Sequence, residues 1–214
     1  MKKVSLIIAA ASFAIASAST LSAASGIFGA SVVLDNNGTT TLYELSLLGD
    51  ARHNPSGFSP TLNTVGWGST AAPSPNLGSF DPISDTLDFK GGGALTFKNG
   101  GSNVTGANVY YKIDNNAYSS AFSLGFNEDN VGGNTGDQRW YSEGSSIDLL
   151  SGLSNGTYTL SVYLDAGSTD GTLFSNNGGA DFGATFTVVP EPGTYALIAG
   201  MFGLAFVALK RRKA

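Results

Sequence analysis

His53 is the only histidine in 214 residues, and the chain has no cysteine. A serine or threonine nucleophile needs a base beside it, and His53, next to Arg52, is the one histidine that could serve. It reads as an exposed loop residue rather than a catalyst. Thiolate zinc sites, iron–sulfur clusters and multi-histidine centres are excluded by composition.

Carboxylates are the next candidates. Asn127-Glu128-Asp129-Asn130 and the stretch Asp165–Asp170 offer hard oxygen ligands on turn-rich segments, the donor type that suits calcium. Glu128, Asp129, Asp165 and Asp170 are therefore the candidate Ca2+ ligands. No EF-hand spacing or nonapeptide repeat accompanies them. Glu128, Asp129, Asp137 and Glu143 also gather in one Gly- and Asn-rich region, and Glu128 with Glu143 is the pair a glycan hydrolase would need. Trp67, Trp140 and Tyr141 are the candidate aromatic platform for a sugar; the competing reading places Trp140 in the core and uses Trp67 to anchor its loop.

Strands must position these groups. Ser31–Leu34 and Thr41–Leu48 read as a hairpin across Asn37-Gly38. Alternation continues at Ala94–Lys98, Asn108–Ile113, Ser120–Phe126 (Phe122, Leu124 and Phe126 inward), Ser146–Leu150, Thr157–Asp165 and Phe182–Val189. Asp137 to Glu143 is read as loop. The expectation is an all-β body of about eight strands, a Greek-key or jelly-roll-like two-sheet sandwich. Leu153-Ser154-Asn155-Gly156-Thr157-Tyr158 has the spacing of a tyrosine corner, in which the Tyr158 hydroxyl bonds backbone a few residues upstream. Residues 50–89 hold five of the seven prolines, so a long loop is expected there, pinned over one sheet by Phe58, Trp67 and Phe80. The stretch from Val109 to Ala166, with Gly136-Asp137-Gln138-Arg139-Trp140 inside it, is similar to modules of other exported bacterial surface proteins.

The C-terminus carries a different message. Pro190 and Pro192 push Val189 and Glu191 into extended backbone. An uncharged run from Tyr195 to Leu209 follows, then Lys210-Arg211-Arg212-Lys213. At 1.5 Å per residue that run spans about 22 Å, short of a hydrocarbon core of about 30 Å. The basic cluster predicts a cytoplasmic end. Pro190-Glu191-Pro192, a short transmembrane helix and a basic terminus with Arg211 and Arg212 resemble the PEP-CTERM sorting signal of Gram-negative bacteria. The resemblance implies processing by an exosortase, a transient stay in the inner membrane, and delivery to the envelope, surface or exopolysaccharide matrix.

The N-terminus agrees. Met1-Lys2-Lys3, an apolar Val4–Ala16 and small residues ending at Ala24 read as a signal peptide with its helix, cleaved after Ala24. The chain therefore divides into 1–24 signal peptide, 25–189 body and 190–214 sorting signal, with the span at 195–209 and the basic stop at 210–213. The body keeps 15 acids and five bases, a formal charge of −10, which repels nucleic acid. The expected function is a non-enzymatic exported protein of structural or interaction type. The alternatives are a polysaccharide-binding module assisted by calcium and, behind it, a glycan hydrolase.

Overall fold

The computed structural model describes residues 25–53, 61–99, 102–190 and 192–212. The signal helix, Ala24, Phe58 and Glu191 lie outside these residues. The described body is all-β: thirteen strands in two sheets. The first six are β1 (Gly26–Asn36), β2 (Thr39–Ser46), β3 (Thr61–Asn63), β4 (Gly68–Ser69), β5 (Asn76–Phe80) and β6 (Leu87–Phe97). Then follow β7 (Val104–Ile113), β8 (Phe122–Leu124), β9 (Phe126–Asp129) and β10 (Asp137–Asp148). The last three are β11 (Gly156–Ser168), β12 (Gly171–Ser175) and β13 (Phe182–Val188).

Sheet one runs β3-β2-β1-β6-β10-β9 and sheet two β4-β13-β11-β7-β8. The long β11 pairs along its first half with β13 and along its second half with β12. Two short strands, β3 on β2 and β5 on β13, pair in parallel; all other pairs are antiparallel. The first hairpin forms where expected. Asn37 and Gly38 both take positive φ, 51° and 80°, the backbone that matches a two-residue turn to strand twist. The alternating residues of β11, Leu160, Val162 and Leu164, point inward with Val32, Leu34, Phe80, Phe89, Val109 and Phe186, and all are essentially inaccessible. Burial of that apolar surface is the main driving force for the sandwich. The tyrosine corner is present: the Tyr158 hydroxyl donates to the Ser154 carbonyl at 2.7 Å.

Three expectations are corrected. The segment from Asp137 is a full central strand, β10, not a solvated loop with a short strand after it. Residues 50–89 are not strand-free, because they contain β3, β4, β5 and the start of β6. Their pinning residues Trp67 and Phe80 are buried as expected. Phe126 does not continue the inward alternation of Phe122 and Leu124. The chain leaves sheet two at Gly125 and enters sheet one, so Phe126 is 54% exposed, edge-on against Trp140 at 5.2 Å.

The close approach of β6 and β10 rests on Gly91. Its φ is +144°, and a Cβ there would lie 2.0 Å from the Ser142 carbonyl oxygen.

At the end where β13 finishes, the turns 35–39, 81–86 and 148–155 come together. Asn37 exchanges backbone and side-chain bonds with Thr86, and Leu149 N donates to Leu87 O. Asp35, Asp81, Asp85 and Asp148 cap these turns by accepting backbone N–H groups. The three turns contain no lysine or arginine.

Candidate functional site

Sheet one is covered on both faces. Its outer side carries Val33, Leu42 and Tyr141 in a small second core, with Glu44 and His53 beside them at 0% and 2% exposure. The single turn Ala51–His53 covers this side, and His53 reaches under it. That corrects the expectation of an exposed His53. Its Nε2–H donates to the carbonyls of Ser46 (2.9 Å) and Leu47 (3.2 Å), so Nδ1 is unprotonated and has no partner. Glu44 accepts from Gly49 N through one oxygen, and its other oxygen is unpartnered.

Burial pushes the His53 pKa down, a shift only partly opposed by Glu44. The unfolded chain therefore takes up a proton that the folded one resists. Stability from this residue is complete above about pH 6.5 and falls as pH drops below it, with a slope approaching 1.4 kcal/mol per pH unit until the folded pKa is reached. Urea midpoints at pH 7.5 and 5.5 should show the loss, and His53→Gln should flatten it. An unchanged slope in that variant would assign the acid sensitivity elsewhere. Asp50, held at about 2 by its bonds to Arg52, acts only in a separate window below about pH 4.

The four clustered acids are each engaged separately. Glu128 pairs with Arg139, and Asp129 with Lys98 at 2.6 Å. Asp137 pairs with Arg52 at 2.7 Å, and Glu143 accepts from the Tyr141 hydroxyl at 2.9 Å. Arg52 also holds Asp50 and lies over the Phe28 ring, and Arg139 donates to the Arg52 carbonyl. These contacts lock the Ala51–His53 turn to β10.

The candidate calcium ligands do not meet. Glu128 and Asp129 lie on β9 in sheet one; Asp165 is on β11 in sheet two, and Asp170 is in the turn after it. Among the described residues no three His, Asp or Glu groups form a cluster that could hold a metal ion. The aromatic platform is corrected too. Trp67, Trp140 and Tyr141 are 5%, 7% and 5% exposed, facing Tyr43, Thr96 and Glu143 rather than solvent. The expectation that no serine lies in a Gly-x-Ser-x-Gly is corrected by Gly152-Leu153-Ser154-Asn155-Gly156, which spells the pattern of hydrolases. It precedes a strand, not the helix a nucleophile elbow requires, and its serine carbonyl serves the tyrosine corner.

The outer face of sheet two is built differently. Cross-strand pairs Tyr163–Tyr110, Asp165–Asn108, Ser161–Lys112 and Thr159–Thr185 point away from the core. Tyr110 and Tyr163 stack at 4.6 Å, and Tyr118 meets Tyr163 edge-on at 4.8 Å. The Tyr110 hydroxyl donates to Asp165 at 3.0 Å, and Tyr118 donates to Asp181. Desolvation and then the Asp165 carboxylate push the Tyr110 phenol up to about 12. Asp165 also accepts from Asn108, so hydrogen bonds within the sheet occupy it. Beside the tyrosines lies a groove of about 460 Å³ lined by Thr70, Lys112, Asp114, Asn115, Thr159 and Ser161.

The tail leaves from the acidic end. Val188 pairs with both Gly156 and Phe80, and Val189 N donates to the Phe80 carbonyl at 2.9 Å. Helix α1 (Pro192–Arg212) begins three residues later. The helix is longer than the apolar run, but Pro192-Gly193-Thr194 at its start and Lys210-Arg211-Arg212 at its end lie outside that run, so the apolar length is unchanged. Leu197, Met201, Phe202 and Leu204 are 56–73% exposed. Among the described residues no helix is long and apolar enough to cross a membrane.

Residues 188–213 match the PEP-CTERM protein-sorting motif. The chain carries a PEP-CTERM signal. The PEP-CTERM match begins at the last residue of β13, so sandwich and signal abut. Pro190, Arg211 and Arg212 fall inside it, as do Glu191 and Pro192. Such a motif implies exosortase-dependent sorting of an exported protein, and placement at the cell envelope or surface. No curated protein and no solved structure matches the chain. The likeness of the body to other exported modules thus finds no support there.

Proposed function

We propose that this is a non-enzymatic PEP-CTERM protein of structural or interaction type. Its tail serves as a transient handle that the exosortase cuts, and the released acidic sandwich works in the envelope or extracellular matrix. The observation that carries the reading is the abutment of a fully paired β13 with the sorting motif. A sandwich joined directly to a removable signal is cargo. The short apolar run supports a temporary stay, since roughly 22 Å is less than a bilayer core. The separate pairing of Glu128, Asp129, Asp137 and Glu143 supports the non-enzymatic reading.

Mass spectrometry of the protein from fractionated cells tests this. The mature form should lack residues beyond the Pro190–Pro192 region and appear in the surface or matrix fraction. A chain ending at Ala214 and held in the inner membrane would refute it.

A further inference from the structure

We propose that the groove on the outer face of sheet two binds a neutral polysaccharide chain. This rests on the reading of the body as an envelope or matrix protein, and names what it touches there.

The walls of the groove are fixed by bonds within the protein. Asp114 accepts from Thr159 N at 2.7 Å, and its own N–H donates to Thr159 O at 2.8 Å. On the opposite side the Thr70 hydroxyl donates to the Ala180 carbonyl at 2.9 Å. The groups facing the space are otherwise unspent. Among the described residues, no partner takes the hydroxyls of Thr159 and Ser161 or the side-chain amide of Asn115. Ser161 is 1% exposed and lies at the groove floor. A ligand rich in hydroxyls, each both donor and acceptor, would satisfy such a set.

Charge narrows the class. Lys112 and Asp114 are the only ionised groups lining the groove, and they cancel. The body around it carries −10, so a strongly anionic chain is repelled. Apart from Ala71 the lining residues are polar, which disfavours a lipid. The groove crosses a sheet face rather than running along one strand edge, so a peptide could not add as a strand there. The Lys112 ammonium lies 4.4 Å over the Tyr118 ring, which links the groove to the ridge of Tyr118, Tyr163 and Tyr110. Tyr118 and Tyr110 are tethered by their hydroxyls to Asp181 and Asp165, and Tyr163 is held between their rings, so the ridge gives the C–H faces of a sugar an ordered apolar flank. The volume falls within the ~300–1,000 Å³ usual for ligand clefts.

The test uses the exported protein purified from cells. Calorimetry would titrate cellohexaose, laminarihexaose, mannohexaose, the cell's own exopolysaccharide and, as an acidic control, hexagalacturonate. At least one neutral glycan should bind and the acidic one should not. Asn115→Ala, in an exposed turn, and Ser161→Ala should each weaken binding about tenfold, the loss of one or two hydrogen bonds. Thr187→Ala, on the same face but outside the groove, should leave it within twofold. Binding of no neutral glycan, preference for the acidic one, or wild-type affinity in both groove variants would overturn the site. A cleaved, surface-located protein that binds none of these glycans would overturn the site alone and leave the reading of the body as surface cargo intact.

Discussion

Gly91→Ala should destabilise the sandwich by about 3 kcal/mol or more, the sum of a positive-φ cost and a backbone clash. In a body of this size that is a fall in Tm of about 6–12 °C. Gly91 sits in β6 with φ +144°, and the new methyl would lie 2.0 Å from Ser142 O and 3.3 Å from the Glu143 Cα. Both obstacles are backbone, so no side chain can swing aside. Relief requires β6 and β10 to part, and these are the two strands that carry Phe89 and Trp140 into the core. Gly133→Ala is the control: φ is +80°, but nothing lies within 4 Å of the added carbon, so it should cost only about 1 kcal/mol. Thermal unfolding followed by circular dichroism separates them. Equal melting of the two variants would show that the close approach at Gly91 does not matter.

Processing of the tail should accelerate several-fold when six Gly/Ser residues are inserted between Val189 and Pro190. The last backbone bond of the sandwich is made by Val189, and the helix begins at Pro192. The intervening backbone spans about 10 Å at full extension. A folded body of this length has a radius of gyration of about 15 Å. An enzyme that reads Pro190–Pro192 therefore works with a large rigid mass pressed against its entrance, or waits for the end of β13 to detach. Val188 is 1% exposed and paired on both sides, so detachment is costly. A spacer removes that cost. Pulse-chase with the two forms resolved by mass would show it, and an unchanged or slower rate would mean the strap does not limit processing.

What could be read from the chain follows a physical line. Strands with one apolar and one solvated face, such as β7, β11 and β13, announce themselves by alternation. The tyrosine corner and the Asn37-Gly38 turn are local, so spacing revealed them. β10 stayed hidden because its outer residues Asp137, Arg139 and Glu143 are polar yet covered; Arg52 and Tyr141 neutralise what the pattern presents as a loop. His53 was misjudged for the same reason, since nothing in Asp50–His53 says that the turn folds onto sheet one. Trp67, Trp140 and Tyr141 are aromatic by type, but whether an aromatic ring faces water depends on which sheet face is roofed. The groove joins Thr70 to Ser161 across sheet two, a neighbourhood made only by the strand order β4-β13-β11. The sorting signal was legible because it is contiguous and works as sequence.

The acidic turns at the end of the sandwich bear on what removal of the tail would leave behind. They stand at the point from which the tail leaves, on a tether comparable to the Debye length of about 8 Å at physiological salt. Asp35, Asp81, Asp85 and Asp148 make that end acidic, with no cation in the same turns. If the tail is cut as proposed, the four basic residues Lys210–Lys213 leave with it, and this end keeps only its acids. The proposed cut would thus remove the attachment and the positive charge of that end of the molecule in one step.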